Sequence, residues 1–208
     1  MRCWSLSLAC LVIASAASAE CPTSDDMNAG VTLSREEPLF SSTFTRRADG
    51  IIEERRFNLK DGGTRIRTTL YHGGLIPFEL KDRGGATLRS EFAQGVTLPS
   101  LPVSPGEYEI DQVTYADGKP FAEASSKITV GRSYDSISIE DCYYETRKIR
   151  IASKGKIFVD STREMSHYFE HDYSTELGII IRTIEYRDQT FQDPIAIVEY
   201  DTITAEGL

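Results

Sequence analysis

The chain has 208 residues, 40% of them hydrophobic, with a formal net charge of -9 and a sequence pI of about 4.9. That length suits a single domain with a core of its own. The acidic balance argues against nucleic acid and anionic membrane surfaces, which both select a basic patch.

Residues 1–19 read as a secretory signal peptide. Arg2 supplies a minimal positive start, Leu6 to Ile13 a short apolar run, and Ala17-Ser18-Ala19 a small-residue cleavage site. The run is too short to span a bilayer, and no other run reaches the roughly 20 apolar residues of a membrane helix. Cleavage removes Cys3 and Cys10 and leaves Cys21 and Cys142. In the oxidising space beyond the membrane, periplasmic or secreted, two remaining cysteines predict one disulfide.

Residues 20–208 then form one domain, opening with an arm, 20–38, that Cys21 pins. Strand signals follow from Leu39. Leu39–Arg47 and Ile51–Leu59 flank Ala48-Asp49-Gly50, and Asp-Gly between two such runs predicts a hairpin. Asp61-Gly62-Gly63, Gly73-Gly74 and Gly84-Gly85 punctuate the next strands. Within the strand after Gly74, Ile76, Phe78 and Leu80 alternate with Pro77, Glu79 and Lys81, a period of two. Ala93–Gly106 holds Pro99, Pro102 and Pro105 and predicts a loop at an edge or over one end of a sheet. Glu107–Tyr115 resumes the strands, Ala116-Asp117-Gly118 repeats the earlier turn, and Ser153-Lys154-Gly155 predicts a third. No segment carries a helical stripe. The fold class is all-β: an antiparallel meander in one domain, curved into a half-barrel or folded as a sandwich.

Charge is uneven along the chain. Residues 46–89 hold ten Lys/Arg against six Asp/Glu, while the remainder is acidic. Differently charged sheet edges explain this, as does a docking face for a partner.

The stretch from Ile137 to Tyr186 has the strongest strand patterning. It opens I-S-I-E-D-C and contains Y-S-T-E-L-G-I at Tyr173–Ile179 before a last hairpin. In this it resembles the closing part of uncharacterised bacterial exported β-meander proteins, some with half-barrel folds similar to periplasmic lipoprotein carriers. The resemblance implies a curved sheet with one concave face and transfers no functional residue.

His167-Tyr168-Phe169-Glu170-His171 matches the H-x-x-E-H zinc motif of inverted metalloproteases, which requires a helix. Here Met165, His167, Phe169, His171 and Tyr173 share one parity, while Glu164, Ser166, Glu170 and Asp172 share the other. On a strand the two histidines stand about 13 Å apart, too far for one zinc. The adjacent carboxylates Glu53-Glu54 and Glu140-Asp141 point to opposite faces of a strand or sit in turns, as solvated groups. No phosphate loop, dinucleotide fingerprint or nucleophile elbow is present, so no cofactor is expected.

Three functions remain open. The first is a non-catalytic module binding an apolar small molecule or lipidated partner on a concave sheet face, with Phe78, Met165 and Phe169 as candidate ligand-binding residues. The second is a structural or interaction protein of the cell envelope. The third is a metal-dependent hydrolase around His167 and His171.

Overall fold

The computed structural model describes residues 20–206, apart from 61, 97, 99–102 and 159. The signal-peptide expectation lies outside the described residues. The protein is all-β. A 3₁₀ turn, Asp26–Asn28, precedes thirteen strands: β1 (Val31–Arg35), β2 (Phe40–Arg46), β3 (Ile52–Asn58), β4 (Thr64–His72), β5 (Ile76–Asp82), β6 (Thr87–Phe92), β7 (Gly106–Ala116), β8 (Lys119–Ile139), β9 (Cys142–Ile157), β10 (Asp160–Ser174), β11 (Ile179–Tyr186), β12 (Pro194–Glu199) and β13 (Thr202–Ala205).

All thirteen belong to one antiparallel sheet, in which β1 to β12 follow one another in chain order and β13 adds outside β1. Several of the hairpin turns are short and hold a residue at positive φ. Gly50, Asp117 and Gly118 take φ values of 79°, 48° and 80°, as the two Asp-Gly turns require.

β12 and β13 lie at opposite ends of the strand order, yet only Tyr200 and Asp201 separate them. The two margins of the sheet are therefore drawn together at one point, although β12 and β13 do not pair and the sheet is not closed into a barrel. Local bonds fasten the meeting point. The Asp201 N–H donates to the Ser34 carbonyl (2.8 Å), the Glu36 N–H to Asp201 Oδ2 (2.7 Å), and Arg35 Nη1 to the Ile197 carbonyl (2.9 Å).

Curvature also comes from irregularities in register, since an extra residue on one strand bends it and increases its twist. Such shifts occur between Val130 and Tyr134 in β8, Asp172 and Tyr173 in β10, and Leu70 and Tyr71 in β4. The curl brings the β4–β5 turn against the β10–β11 turn. The Tyr173 hydroxyl donates to the Gly73 carbonyl (3.0 Å), and a Cβ on Gly74 would overlap the Gly178 carbonyl. Glycine at 74 is thus needed twice, for this approach and for its φ of 62°.

Two apolar clusters fill the concave side. One gathers Met27, Leu33, Ile52, Tyr144, Leu177 and Ile181. The other gathers Leu75, Val103, Ile110, Ile128, Ile149 and Tyr173. Cys21 and Cys142 are joined in a disulfide, 121 residues apart in sequence with Cα atoms 5.4 Å apart. This bond and the Tyr144 hydroxyl donating to the Pro22 carbonyl (3.0 Å) anchor the N-terminal arm to the start of β9.

Two sequence expectations are corrected. The arm itself contains β1, whose Val31 and Leu33 are fully buried because it is paired on both sides, with β2 and β13. Ser153-Lys154-Gly155 is no turn. These residues lie within β9 near its C-terminal end, opposite Ser126, Ser125 and Ala124 of β8 and His167, Ser166 and Met165 of β10. Gly155 serves close approach instead, since a Cβ there would strike the Glu123 carbonyl and Ala124. Of the described residues between β6 and β7, Val103 is buried and Val96 and Leu98 pack on the second cluster.

Candidate functional site

A cavity of about 390 Å³ lies on the concave side. Most of the sheet contributes to its walls: Phe44 from β2, Ile76 from β5, Ile110 from β7, Ile128 from β8, Ile151 from β9 and Phe169 from β10. Its size falls in the range of small-molecule sites, and its apolar walls are broken by polar groups that include Glu54, Arg56, Arg67, Gln112 and His171.

One polar group set comes from β3 and β4. Glu54, 1% exposed, faces inward from β3. Its Oε1 accepts from the Ser42 hydroxyl (2.7 Å) and from Arg56 Nε (3.0 Å). Its Oε2 accepts from the Tyr71 hydroxyl (2.6 Å). Burial alone would raise this carboxyl, but the Arg56 guanidinium, the Tyr71 and Ser42 hydroxyls and the Arg67 charge together hold it below the ordinary range. Burial, then the Glu54 charge, pushes the Tyr71 phenol well up, so it remains a donor. The Arg56 guanidinium also lies over the Phe40 ring, 4.7 Å from its centroid. Arg67 lines the same cavity, and its Nε is buried without a hydrogen-bond partner.

A second polar group is His171 of β10, 8% exposed. Burial drives its pKa down to about 4, the Glu170 charge opposing only in part, so the ring is neutral at pH 7. Its Nδ1 lies 2.9 Å from the Thr183 hydroxyl, its register partner on β11. Ser126 and Ser153 face one another at the wall, their hydroxyls 2.7 Å apart.

The residues singled out from the sequence do not share one site. Phe169 lines the cavity, stacked between His167 (5.9 Å) and His171 (5.7 Å). Met165 lines a separate cleft with Phe92, Val113 and Ala124, whose walls carry exposed charges such as the Lys156–Glu123 pair (2.7 Å). Phe78 lines neither. The register shift in the β4–β5 ladder pairs Glu79 with Leu70 and Pro77 with Tyr71, leaving Phe78 as the extra residue. It stacks on His72, with centroids 4.2 Å apart, while Ile76 and Pro77 line the cavity.

His167 and His171 lie on a strand, as their parity predicts, with the Phe169 ring between them. Among the described residues, no group of three or more His, Cys, Asp or Glu side chains is placed to hold a metal. The polar parity of β10 is not solvated throughout. Glu170 and Asp172 are 5% and 1% exposed, paired to Arg150 (2.8 Å) and Arg182 (2.6 Å) across the strands. The Phe191 ring packs 5.1 Å from the Arg150 guanidinium and also against Tyr186, covering this outer patch.

Sequence reasoning missed Glu54, which it placed among solvated carboxylates. The available signal was the run Ile52, Glu54, Arg56, an ion pair on the parity of a core isoleucine. Ser42 and Tyr71 could not have been assigned as its partners without the register.

No family model matches the chain, and no curated protein matches it. Among solved structures it is similar to the crystal structure of the hypothetical lipoprotein YmcC from Escherichia coli (K12), at 10% identity over 78% of this chain and 80% of that one, with a TM-score of 0.45.

Proposed function

We propose that this is an exported, non-catalytic protein that binds an apolar small ligand in the cavity of its concave face. The observation that carries the reading is the 390 Å³ cavity itself, which takes apolar side chains from eight strands, β2, β5 and β7 to β12. Export is supported by the signal-like N-terminus and by the Cys21–Cys142 bond, which persists in oxidising compartments. No helix among the described residues is long and apolar enough to cross a membrane. A non-catalytic role is supported by how the polar groups are used: Glu54 is saturated by three donor side chains, and His171 is bonded to Thr183.

The neutral fluorophore N-phenyl-1-naphthylamine tests this reading. The folded protein should bind it saturably, one per chain, and Phe169→Asp should weaken binding at least about tenfold by placing a charge in an apolar wall. Absence of saturable binding removes the ligand role and leaves the envelope-structural reading.

A further inference from the structure

The charges around the cavity do not cancel. Glu54 and Arg56 form a close pair (2.9 Å), and both carboxylate oxygens of Glu54 are taken by Ser42, Arg56 and Tyr71. Arg67 is left over. It lines the cavity, acts on Glu54 by its charge, and keeps a buried Nε–H that donates to nothing. His171 is neutral and adds no charge. The lining therefore carries one positive charge more than it carries negative, at a place where apolar walls lower the dielectric. Arg67 is half-buried and reaches the Glu54 charge only through space, its buried Nε–H left unpaired is costly, and a guanidinium matches a carboxylate in plane and spacing.

We propose that the ligand is a single-chain amphiphile with a carboxylate head, its chain lying along the isoleucine wall and its head paired to Arg67. This rests on the apolar-ligand reading above and names the class of ligand. One net positive charge suits one carboxylate, whereas a phosphate monoester carries nearly two negative charges at neutral pH. At about 30 Å³ each, the cavity holds on the order of a dozen water-sized groups, which suits a medium-length chain. The charge pattern has a sequence origin, since Arg56 and Arg67 both come from the Lys/Arg-rich segment 46–89. Two of its cations are turned inward.

Displacement of bound N-phenyl-1-naphthylamine by decanoate, 1-decanol and decyl phosphate at pH 8 tests the proposal. Decanoate should compete at least about tenfold more strongly than 1-decanol, the scale of one charge-assisted hydrogen bond. In Arg67→Gln that advantage should vanish, acid and alcohol competing about equally. Equal competition by acid and alcohol overturns the carboxylate head and leaves the apolar site standing. Stronger competition by decyl phosphate overturns the choice of head, and an unaltered acid preference in Arg67→Gln overturns the role of Arg67. If Arg67→Gln does not fold, the comparison of ligands on the wild type still decides the head group. If the fluorophore itself does not bind, the apolar-ligand reading fails first.

Discussion

Replacing Glu54 by Gln probes the polar end of the cavity without changing its shape. Glutamine keeps an oxygen for Ser42 and Arg56, but its amide cannot balance a guanidinium, and it presents N–H groups where Oε2 accepted from Tyr71. Two cations, Arg56 and Arg67, then share the cavity with no anion. Breaking one partner of a buried pair costs about 3–5 kcal/mol. The Arg56 side chain retains 22% of its exposure, so the lower end, about 3 kcal/mol at pH 7, is expected.

The pH dependence sharpens the test. The Glu54 carboxyl is held below its ordinary value of 4.5 in the folded state. Its contribution is therefore fully present above pH 4.5 and is lost as pH falls through the folded-state pKa. Urea unfolding followed by far-UV circular dichroism should show wild type and Glu54→Gln about 3 kcal/mol apart at pH 7 and converging below pH 4.5. A midpoint unchanged by the substitution at pH 7, or a gap independent of pH, refutes the argument. The same variant should bind decanoate more tightly than wild type, because it removes the anion that competes for the arginines.

The remaining expectations concern the disulfide and His171. Breaking the Cys21–Cys142 bond by Cys→Ser substitution should lower the thermal midpoint while preserving strand content. The loop-closure entropy for the 121-residue separation is an upper figure of about 5 kcal/mol, and two titratable thiols in the folded, oxidised protein would contradict the bond. The His171 ring should remain neutral from pH 8 to pH 5 by NMR. Its folded pKa of about 4 lies below the ordinary 6.5, so the unfolded chain takes up the proton first. Stability should then decline by about 3 kcal/mol as pH falls from 6.5 to 4. His171→Gln should flatten that slope, and an unaltered slope would sink the assignment.

The meander was legible wherever a turn needed a particular residue. Asp49-Gly50 and Asp117-Gly118 announce hairpins because few other pairs tolerate positive φ. The disulfide was legible by counting, once Cys3 and Cys10 were set aside with the expected leader. Ser153-Lys154-Gly155 misled because small and polar residues resemble a turn locally. Partners on both sides, Ser126 and His167, hold them in the ladder instead. The cavity was out of reach for a related reason. Its walls come from residues as far apart as Phe44 and Val198, brought together by register shifts that leave little trace in the strand pattern. Phe78 shows the limit most plainly: its alternation with Ile76 and Leu80 is real, yet one extra residue in β5 leaves it off the cavity lining.

The pair Ser126 and Ser153 separates a ligand site from an imperfectly filled core. They face one another across β8 and β9, with Ile128 and Ile151 paired two residues away. Larger apolar side chains at these two places would continue the isoleucine wall and fill space, and filled cores are the more stable arrangement. Ser153→Leu makes that change directly. It leaves the Ser126 hydroxyl without its partner, at about 1 kcal/mol, and buries new apolar surface worth about 2 kcal/mol. Stability should therefore change little. Binding of N-phenyl-1-naphthylamine should fall at least about tenfold, because the new side chain occupies the ligand's volume. A variant that folds normally and binds the fluorophore as wild type does would show that the ligand sits elsewhere, and the second cleft beside Met165 would become the place to search.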